Sequence, residues 1–401
     1  MQPMTADRLP IHQMIEYSTI KIWSRLMEKN RDIQALRGIA VLMVFLQHYR
    51  SRLPTPEWYH GIFNYAGFWS GVDLFFVISG FVIARSLISR GDWGIGHKLS
   101  GSALKDFWIR RFNRLAPAAW FWIAFSTVLS LCTISVSYPG TLGTALMSAA
   151  TALTATSNFY WSHCVVTHRI GISCMNPDFN GVFWSLSLEE QFYLLFAILA
   201  FIFTYSRLAK AFLAILIISV VANYFLINGA FSLPWVLRPQ GLIVGVLLAI
   251  HHDRVATLVA QLSYRTRILV CVLAIALICA LPTMLDLNWS IPLLAAASAV
   301  AVSISLPDGG ISKGRAGSLL QWVGNRSYSL YLCHLPIIIV AREVSFRLLG
   351  RQSVSLPSSV AFAIAFPATL AAALFAAHLS YRYIENNRRL KISRGTVQAA
   401  A

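Results

Sequence analysis

Two residues with chemistry to offer share one face of an apolar segment near the N-terminus. In ALRGIAVLMVFLQHY, Arg37 and His48 stand eleven residues apart. An α-helix turns 100° and rises 1.5 Å per residue, so their side chains project within about 20° of each other, about 16 Å apart along the axis. Each alone has a simpler interpretation, Arg37 as an interfacial anchor and His48 as a buried hydrogen-bonding group. The uncharged run 38–49 is too short to span a bilayer alone, so neighbouring helices must shield it.

Carboxyl groups interrupt two further apolar segments. Asp73 stands in GVDLFFVISGF, and the pair Glu189 and Glu190 stands in WSLSLEEQFYL. Ionisable side chains inside membrane segments are costly and usually face a cavity, a partner or a substrate. Adjacent glutamates cannot share one helix face, so we expect at most one of them to point into the bundle. Asp73 is also open to a structural role as the partner of an Arg or His.

A third group is basic. The segment KDFWIRRFNRLAPAAW contains Arg110, Arg111 and Arg114, and Arg110 and Arg114 share a helix face at i, i+4. Arginine binds phosphate bidentately, so the cluster is a candidate phosphate clamp at the cytoplasmic mouth of a helix. Its simpler interpretation is a topology signal. His334, embedded in SYSLYLCHLPIII, is by default a helix-kink or hydrogen-bonding residue.

The composition indicates what must position these residues. The 401 residues are 57% hydrophobic and 12% charged, whereas soluble domains carry about 25% charged residues. This excludes an ordinary cytosolic enzyme and a disordered or coiled-coil protein. Because a membrane helix needs about 20 mostly apolar residues, we predict an all-α integral membrane protein with a bundle of about ten transmembrane helices. These lie near residues 36–53, 66–88, 108–133, 184–204, 211–228, 238–251, 268–285, 287–306, 327–349 and 357–381.

The basic residues predict the orientation of the bundle. The net charge is +17, and with both termini in the cytoplasm only seven of the 33 Lys and Arg residues fall on the outer side. This asymmetry favours cytoplasmic termini and explains the charge without nucleic acid. The outer residues are Arg50, Arg52, Arg169, Arg238, Arg342, Arg347 and Arg351.

Two segments remain outside this scheme. Residues 138–160 fit a further span, a re-entrant segment or an outer-surface helix, and a full span would invert the topology that follows. Residues 11–30 fit an interfacial helix or a partly disordered tail. We divide the chain into a cytoplasmic or interfacial N-terminal segment (1–35), a transmembrane domain (36–385) and a cytoplasmic tail (386–401).

Four outer-loop residues invite comparison with a zinc site. His163, Cys164, His168 and Cys174 follow the pattern H-C-x3-H-x5-C, which is not a familiar zinc-ligand spacing. Because this loop should face an oxidising compartment, we favour a disulfide between Cys164 and Cys174. We predict no metal.

Six sequence elements follow one another along the chain. They are R-x10-H (Arg37 to His48), GVDLFFVISGF (Gly71 to Phe81), RR-x2-R-x2-P (Arg110 to Pro117), WSL-x2-EEQFYL (Trp184 to Leu194), SYSLYL-x-H-x-P (Ser327 to Pro336) and the segment Tyr381 to Arg389. In this order they resemble the acyltransferase-3 family of integral membrane acyltransferases, which includes bacterial surface-glycan O-acetyltransferases. One departure is visible, because the family commonly shows Glu-x-Pro where this chain has Glu385-Asn386-Asn387. With few residues after the last helix, we expect a stand-alone transferase in the bacterial inner membrane.

The resemblance implies a cytoplasmic acyl-CoA donor, with acetyl the prevalent acyl group, and a hydroxyl acceptor on a glycan or lipid-linked saccharide. Coenzyme A joins a charged nucleotide head to a long neutral arm, and arginines suit its phosphates. The 16 Å between the arginine and the imidazole is of the order of an extended pantetheine arm. We assign donor binding to Arg37, Arg110, Arg111 and Arg114.

His48 is the expected general base, because imidazole titrates near pH 6.5 and can take the proton of the acceptor hydroxyl. A base that becomes cationic among apolar helices needs a negative partner. We assign this role to Glu190, and to Asp73 the orientation of its helix or of the acceptor, although spacing does not decide between the two carboxylates.

The remaining motif residues at the outer mouth, Trp184, Ser185 and Glu189, are assigned to the acceptor. A covalent acyl-His or acyl-Ser intermediate, with Ser185 as the serine, is an alternative to direct transfer. The alternative of another class is a transporter or flippase of a glycan or lipid-linked intermediate, since polar residues in a bundle also mark translocation paths. Oligomeric state is not predicted.

Overall fold

The structure is a computed structural model that describes residues 30–50, 52–94, 96–133, 142–167, 174, 179–226, 236, 238–349 and 358–386. These residues form α-helices and no strand, as the all-α prediction requires. The helices are α1 (Arg31–Tyr49), α2 (Glu57–Ile62), α3 (Gly71–Ile88), α4 (Gly101–Cys132), α5 (Leu142–Leu153), α6 (Ser157–Val166), α7 (Phe183–Ile202), α8 (Tyr205–Leu226), α9 (Gln240–Ile250), α10 (His252–Ala260), α11 (Tyr264–Met284), α12 (Leu287–Ile304), α13 (Gly314–Asn325), α14 (Ser327–Leu349) and α15 (Ser358–Ser380).

The protein is a multi-pass integral membrane protein. Eight helices of the described chain are long and apolar enough to cross a membrane, and α9 with α10, which meet at a bend of 78°, would form a ninth. Each of the ten predicted segments coincides with a helix, but α1 is not among the helices of the described chain that are long and apolar enough to span a membrane alone. The predicted interfacial helix at 11–30 and nearly all of the predicted tail lie outside the described residues.

Helix α1 is shielded by its neighbours, as its short uncharged run requires. It packs along α13 and also contacts α3 and α14. Its apolar side chains are almost completely buried, so the bundle rather than lipid surrounds the helix. Those exposed by 1% or less include Leu36, Ala40, Val41, Val44 and Phe45.

A reciprocal set of hydrogen bonds fixes the first turn of α1 to the loop between α12 and α13. The buried Asp32 carboxylate accepts from the backbone N–H groups of Gly310 at 2.6 Å and Ser312 at 2.8 Å. In return, Asp308 accepts from the backbone N–H groups of Arg31 at 2.9 Å and Asp32 at 3.0 Å. The N-terminal N–H groups of a helix have no partner within it, so this loop satisfies them and anchors α1.

Two close helix crossings depend on glycine. At the first, a Cβ on Gly80 of α3 would lie 2.0 Å from the carbonyl oxygen of Leu242 of α9, and a Cβ on Gly245 of α9 would lie 2.1 Å from that of Val77. Similarly, a Cβ on Gly38 of α1 would meet a carbonyl of α13 at 2.3 Å. Only glycine allows such approach. These contacts set the positions of α1 and α3, on which the site is built.

The segment around 138–160 contains two short helices. Helices α5 and α6 have 12 and 10 residues, about 18 and 15 Å, and neither alone can cross a hydrocarbon core of about 30 Å. A turn at Ala155, whose φ is +53°, separates them. Gln191 of α7 donates to the Ala155 carbonyl at 2.7 Å, so this turn rests against α7. Neither helix is among the candidate spans of the described chain, so the structure does not support the full span.

Candidate active site

A cavity lies among α1, α3, α4, α7 and α14. It is formed by facing side chains of five helices, the kind of place between helices of a bundle where small-molecule sites occur. Its lining combines apolar side chains of α3 with three arginines and two glutamates from the predicted motifs. The charged lining residues are Arg37, Arg111, Arg114, Glu189 and Glu190.

Glu189 is held inside the bundle by two hydroxyl groups. Ser79 of α3 donates to one carboxylate oxygen at 3.1 Å, and Tyr193, one turn further along α7, donates to the other at 2.6 Å. The Arg111 guanidinium lies 3.9 Å from the centre of the Tyr193 ring. A hydroxyl, a carboxylate and a cation from three helices therefore form one connected wall of the cavity.

The three clustered arginines do not all face the cavity, and the two that do are not the pair Arg110 and Arg114 that the i, i+4 spacing indicated. Arg111 and Arg114 line the cavity, whereas Arg110 is turned toward Asp92, with 3.9 Å between their charged groups, and its side chain is 39% exposed. Residues 110, 114 and 111 fall in that order over about 100° of helix surface, so the packing of α7 decides which part faces inward. The structure does not place Arg110 in the donor cavity.

Arg111 carries an orphan polar atom that points to an anion. Its buried Nε has no hydrogen-bond partner among the described residues. Buried donors in proteins are nearly always satisfied. A guanidinium held over an aromatic ring with one unused N–H suits a phosphate or carboxylate ligand.

One hydrogen-bonded pair links the cavity wall to the embedded histidines. The hydroxyl groups of Ser185 on α7 and Tyr331 on α14 lie 2.6 Å apart, and both residues line the cavity and are buried. The Tyr331 ring also stands 5.7 Å from the ring of His334. Tyr331 therefore belongs to the cavity lining and is also a neighbour of His334.

His48 is not among the residues that line the cavity, and it contacts a second histidine. Its Nδ1 is 3.0 Å from Nε2 of His334 and 3.1 Å from the Val44 carbonyl oxygen. His334 is completely buried, whereas His48 is partly exposed. The predicted partner, Glu190, is exposed and lines the arginine cavity. His334, not a carboxylate, is thus the hydrogen-bonding partner of the His48 ring in the described chain.

Asp73 is paired with an arginine, as its structural alternative predicts. Its carboxylate accepts from Nε of Arg238 at 2.8 Å and makes a second, shorter bond to the same guanidinium. Both residues are buried, and Arg238 also lies over the ring of Trp69. A buried carboxylate paired bidentately satisfies its charge within the fold. The structural alternative for Asp73 is the one that the structure shows.

Of the three residues assigned to the acceptor, two line the cavity and one does not. Ser185 and Glu189 line the cavity, whereas Trp184 is absent from its lining and packs edge-on against Phe76, with 6.4 Å between ring centres. In the outer loop, Cys164 and Cys174 form the predicted disulfide.

Sequence reasoning missed three residues of the site. Tyr193 follows Glu189 by four residues, and this i, i+4 spacing was an available signal. For Ser79 the signal was weaker, because only the following residue, Gly80, indicated a close helix approach. For Tyr331 no local signal exists, because its partner Ser185 is 146 residues away in sequence.

Comparison with known proteins places this geometry in a family. The chain is 27% identical to the peptidoglycan O-acetyltransferase OatA of Listeria monocytogenes over 341 residues, which are 78% of this chain and 50% of that protein. It is 26% identical to the O-acetyltransferase OatA of Staphylococcus aureus over 386 residues, which are 90% of this chain and 57% of that protein. The chain spans about half the length of the curated relatives that it matches.

No solved structure was found to match the chain. The family model described as an acyltransferase domain matches residues 30–378. That range contains the arginine cavity, the Ser185 and Tyr331 pair, and the two histidines His48 and His334. The chain therefore belongs to the acyltransferase-3 family.

Proposed function

We propose that this protein is a membrane O-acyltransferase that moves an acyl group from cytoplasmic acyl-CoA to a hydroxyl group of a cell-envelope glycan. The observation that carries the proposal is the arginine-lined cavity, whose wall includes the hydrogen-bonded pair Ser185 and Tyr331. The Tyr331 ring is in turn a neighbour of the embedded His334. The names of the relatives specify O-acetyl transfer, and two of the relatives in this group are named for peptidoglycan. We take acetyl as the acyl group and a polymeric or lipid-linked saccharide as the acceptor.

The cavity suits the donor by charge and by shape. Arg111 and Arg114 would hold the phosphates of the nucleotide head, and Arg37 would line the path of the arm. The Nε of Arg111 supports this assignment, because it is a buried donor without a protein partner. Coenzyme A supplies a thioester, whose carbonyl carbon is open to attack by a hydroxyl oxygen. Apolar residues of α3 suit the neutral part of the arm.

His48 would act as the general base. The acceptor hydroxyl loses its proton to the imidazole as its oxygen forms a bond to the thioester carbonyl carbon. The carbon–sulfur bond then breaks, and the imidazolium returns the proton to the departing sulfur. An ester and free coenzyme A are the products, so protons and electrons balance without a further reactant.

The pair Ser185 and Tyr331 must separate during this reaction. Both residues line the arginine cavity, and Tyr331 is a neighbour of His334, so in this proposal the thioester reaches the imidazole of His48 only if the pair opens. A neutral hydrogen bond contributes about 0.5 to 1.5 kcal/mol, which binding of the donor can offset. Ser185 Oγ also contacts the Val182 carbonyl oxygen at 3.3 Å. Among the described residues, the hydrogen-bonding partners of Ser185 are thus neither an imidazole nor a carboxylate that could activate it, which favours direct transfer over an acyl-serine.

The proposal is tested with the full chain in lipid nanodiscs, acetyl-CoA carrying a labelled acetyl group, and peptidoglycan or lipid-linked saccharide acceptors. The wild type is expected to release free coenzyme A and to form an acetyl ester. His48→Ala is expected to abolish ester formation while acetyl-CoA still binds. His163→Ala, which removes an exposed histidine of α6, is the matched control and should retain activity.

The competing transporter function gives different results in the same assay. Glycan translocation that persists in His48→Ala, together with no ester formation by the wild type on any acceptor, would favour a transporter. Mass spectrometry of envelope glycans from cells with and without the gene would then identify the acceptor or show that no ester depends on the gene.

A further inference from the structure

The contacts of the two histidines determine which ring nitrogen of each carries hydrogen. His334 Nδ1 lies 2.8 Å from the Tyr331 carbonyl oxygen and 3.3 Å from that of Leu330. Carbonyl oxygens only accept hydrogen bonds, so this Nδ1 must be protonated. In a neutral imidazole the other nitrogen is then an acceptor. His334 therefore presents a lone pair on Nε2 to His48.

The same argument applies to the second ring. His48 Nδ1 faces the Val44 carbonyl oxygen and Nε2 of His334, both of which are acceptors. It must carry the hydrogen and donate it to one or both of them. A cationic His334 is incompatible with this geometry, because two N–H groups would then face each other at 3.0 Å. The remaining nitrogen, His48 Nε2, is left with a lone pair.

We propose that His334 is the positioning residue that holds His48 as the Nδ1–H tautomer, so that Nε2 is the basic atom that receives the proton of the acceptor. This inference rests on the proposed function, in which His48 is the general base. The chain of donors runs from His48 Nδ1 to His334 Nε2 and from His334 Nδ1 to the Tyr331 carbonyl oxygen. In the opposite tautomer the outer nitrogen would carry hydrogen and could accept no proton.

A neutral partner suits this location. When Nε2 takes the proton, Nδ1–H continues to donate to His334, and the imidazolium gains a charge-assisted hydrogen bond. A carboxylate in this place would be a permanent charge beside a buried ring and would need compensation of its own. Two carboxylates of the predicted motifs already have other partners. Asp73 pairs with Arg238, and Glu189 accepts hydrogen bonds from two hydroxyl groups.

The tautomer is measured directly by ¹⁵N NMR on the full chain in nanodiscs, with histidine rings labelled. The chain has ten histidines, and the signals of His48 are those missing from the His48→Asn spectrum. We expect a protonated Nδ1, a bare Nε2, and a coupling from His48 Nδ1 to Nε2 of His334. A protonated Nε2 with a bare Nδ1 at His48 would overturn the proposal, whatever the activity of the protein.

Substitutions at His334 supply a second test. His334→Gln can place an amide oxygen near the position of Nε2, whereas His334→Asn is one methylene shorter and keeps a polar group only near Tyr331. We expect kcat to fall about 10²- to 10⁴-fold in His334→Asn, the range that general base catalysis contributes. His334→Gln should retain more of it, and KM for acetyl-CoA should be unchanged in both.

The outcomes separate this proposal from the proposed function. Full activity of His48→Ala would refute the general base itself. An inactive His48→Ala combined with a fully active His334→Asn would refute only the role of His334. If both His334 variants fail to fold, the ¹⁵N spectrum of the wild type still decides the tautomer.

Discussion

Arg111 differs from Arg110, its neighbour in sequence, in what surrounds the guanidinium group. Arg111 lines the cavity, lies over Tyr193 and has a buried N–H without a partner in the described chain. Arg110 is exposed and turned toward Asp92. Two adjacent residues of one type thus have different environments. If the cavity binds the donor, only one of them should affect binding.

This contrast gives a prediction for the affinity of coenzyme A. Arg111→Ala removes a charge-assisted hydrogen bond worth about 1.5 to 3 kcal/mol, so Kd should rise roughly 10- to 150-fold. Arg110→Ala should change Kd less than threefold, because its side chain is outside the cavity. Isothermal titration calorimetry on both variants in nanodiscs measures the difference. Equal losses in the two variants would place the nucleotide elsewhere.

At the scale of the helices, the position of α1 decides the site, because α1 carries both Arg37 and His48. Its N-terminal end is fixed by Asp32, and its middle is fixed by the close crossing of Gly38 with α13. Helix α3 is fixed in the same manner at Gly80, next to Ser79, which holds Glu189. The close crossings at Gly38 and Gly80 therefore fix the neighbouring residues of the site, Arg37 and Ser79.

The anchor of α1 is tested by removing its carboxylate. Asp32→Ala leaves the N–H groups of Gly310 and Ser312 without their acceptor, which costs about 1 to 3 kcal/mol for each buried group left unsatisfied. The exposed Asp106 of α4 supplies the control, and Asp106→Ala should stay within about 0.5 kcal/mol of the wild type. Thermal unfolding in detergent, compared at one protein concentration, measures both. Similar midpoints for the two variants would contradict the anchoring role.

The crossing of α3 and α9 is tested with a single methyl group. Gly80→Ala would place a Cβ 2.0 Å from the Leu242 carbonyl oxygen, and overpacking of this kind typically costs about 1 to 3 kcal/mol. It should also reduce acyl transfer by displacing Ser79 from Glu189. Gly61→Ala is the matched control, because a Cβ there meets no atom within 4 Å. That variant should be as stable as the wild type or up to about 1 kcal/mol more stable. A Gly80→Ala protein with wild-type stability would show that the helices do not approach this closely.

Local patterns were sufficient for the helices and for much of the cavity. Hydropathy located a helix at each of the ten predicted segments, and the motifs contained Arg37, Arg111 and Glu189, which line one cavity although they were assigned to donor and acceptor separately. Periodicity defines the face of a helix but not the neighbour that covers it. For this reason Asp73 was assigned without Arg238, which is 165 residues away, and His48 without His334, which is 286 residues away.

For the molecule as a whole, the account needs a donor on one side of the membrane and an acceptor on the other. The distribution of Lys and Arg predicts that both termini lie in the cytoplasm. The disulfide between Cys164 and Cys174 would then be on the outer, oxidising side.

Reporter fusions test this orientation. Green fluorescent protein fused after residue 401 should fluoresce, since it folds in the cytoplasm, and alkaline phosphatase fused after residue 174 should be active, since it requires an oxidising compartment. The exchanged pair of fusions serves as the control and should be silent. The reverse pattern would place the arginine cavity on the side that lacks acyl-CoA.

The central claim is that the arginine cavity and His48 belong to one reaction path that opens at Ser185 and Tyr331. A cryo-electron microscopy structure with bound coenzyme A tests this most directly. We predict phosphate density at Arg111 and Arg114, a separated Ser185 and Tyr331 pair, and the sulfur atom beyond it beside His48. Density for the arm that ends on the cytoplasmic side of an intact Ser185 and Tyr331 pair, or phosphates bound away from both arginines, would contradict the account.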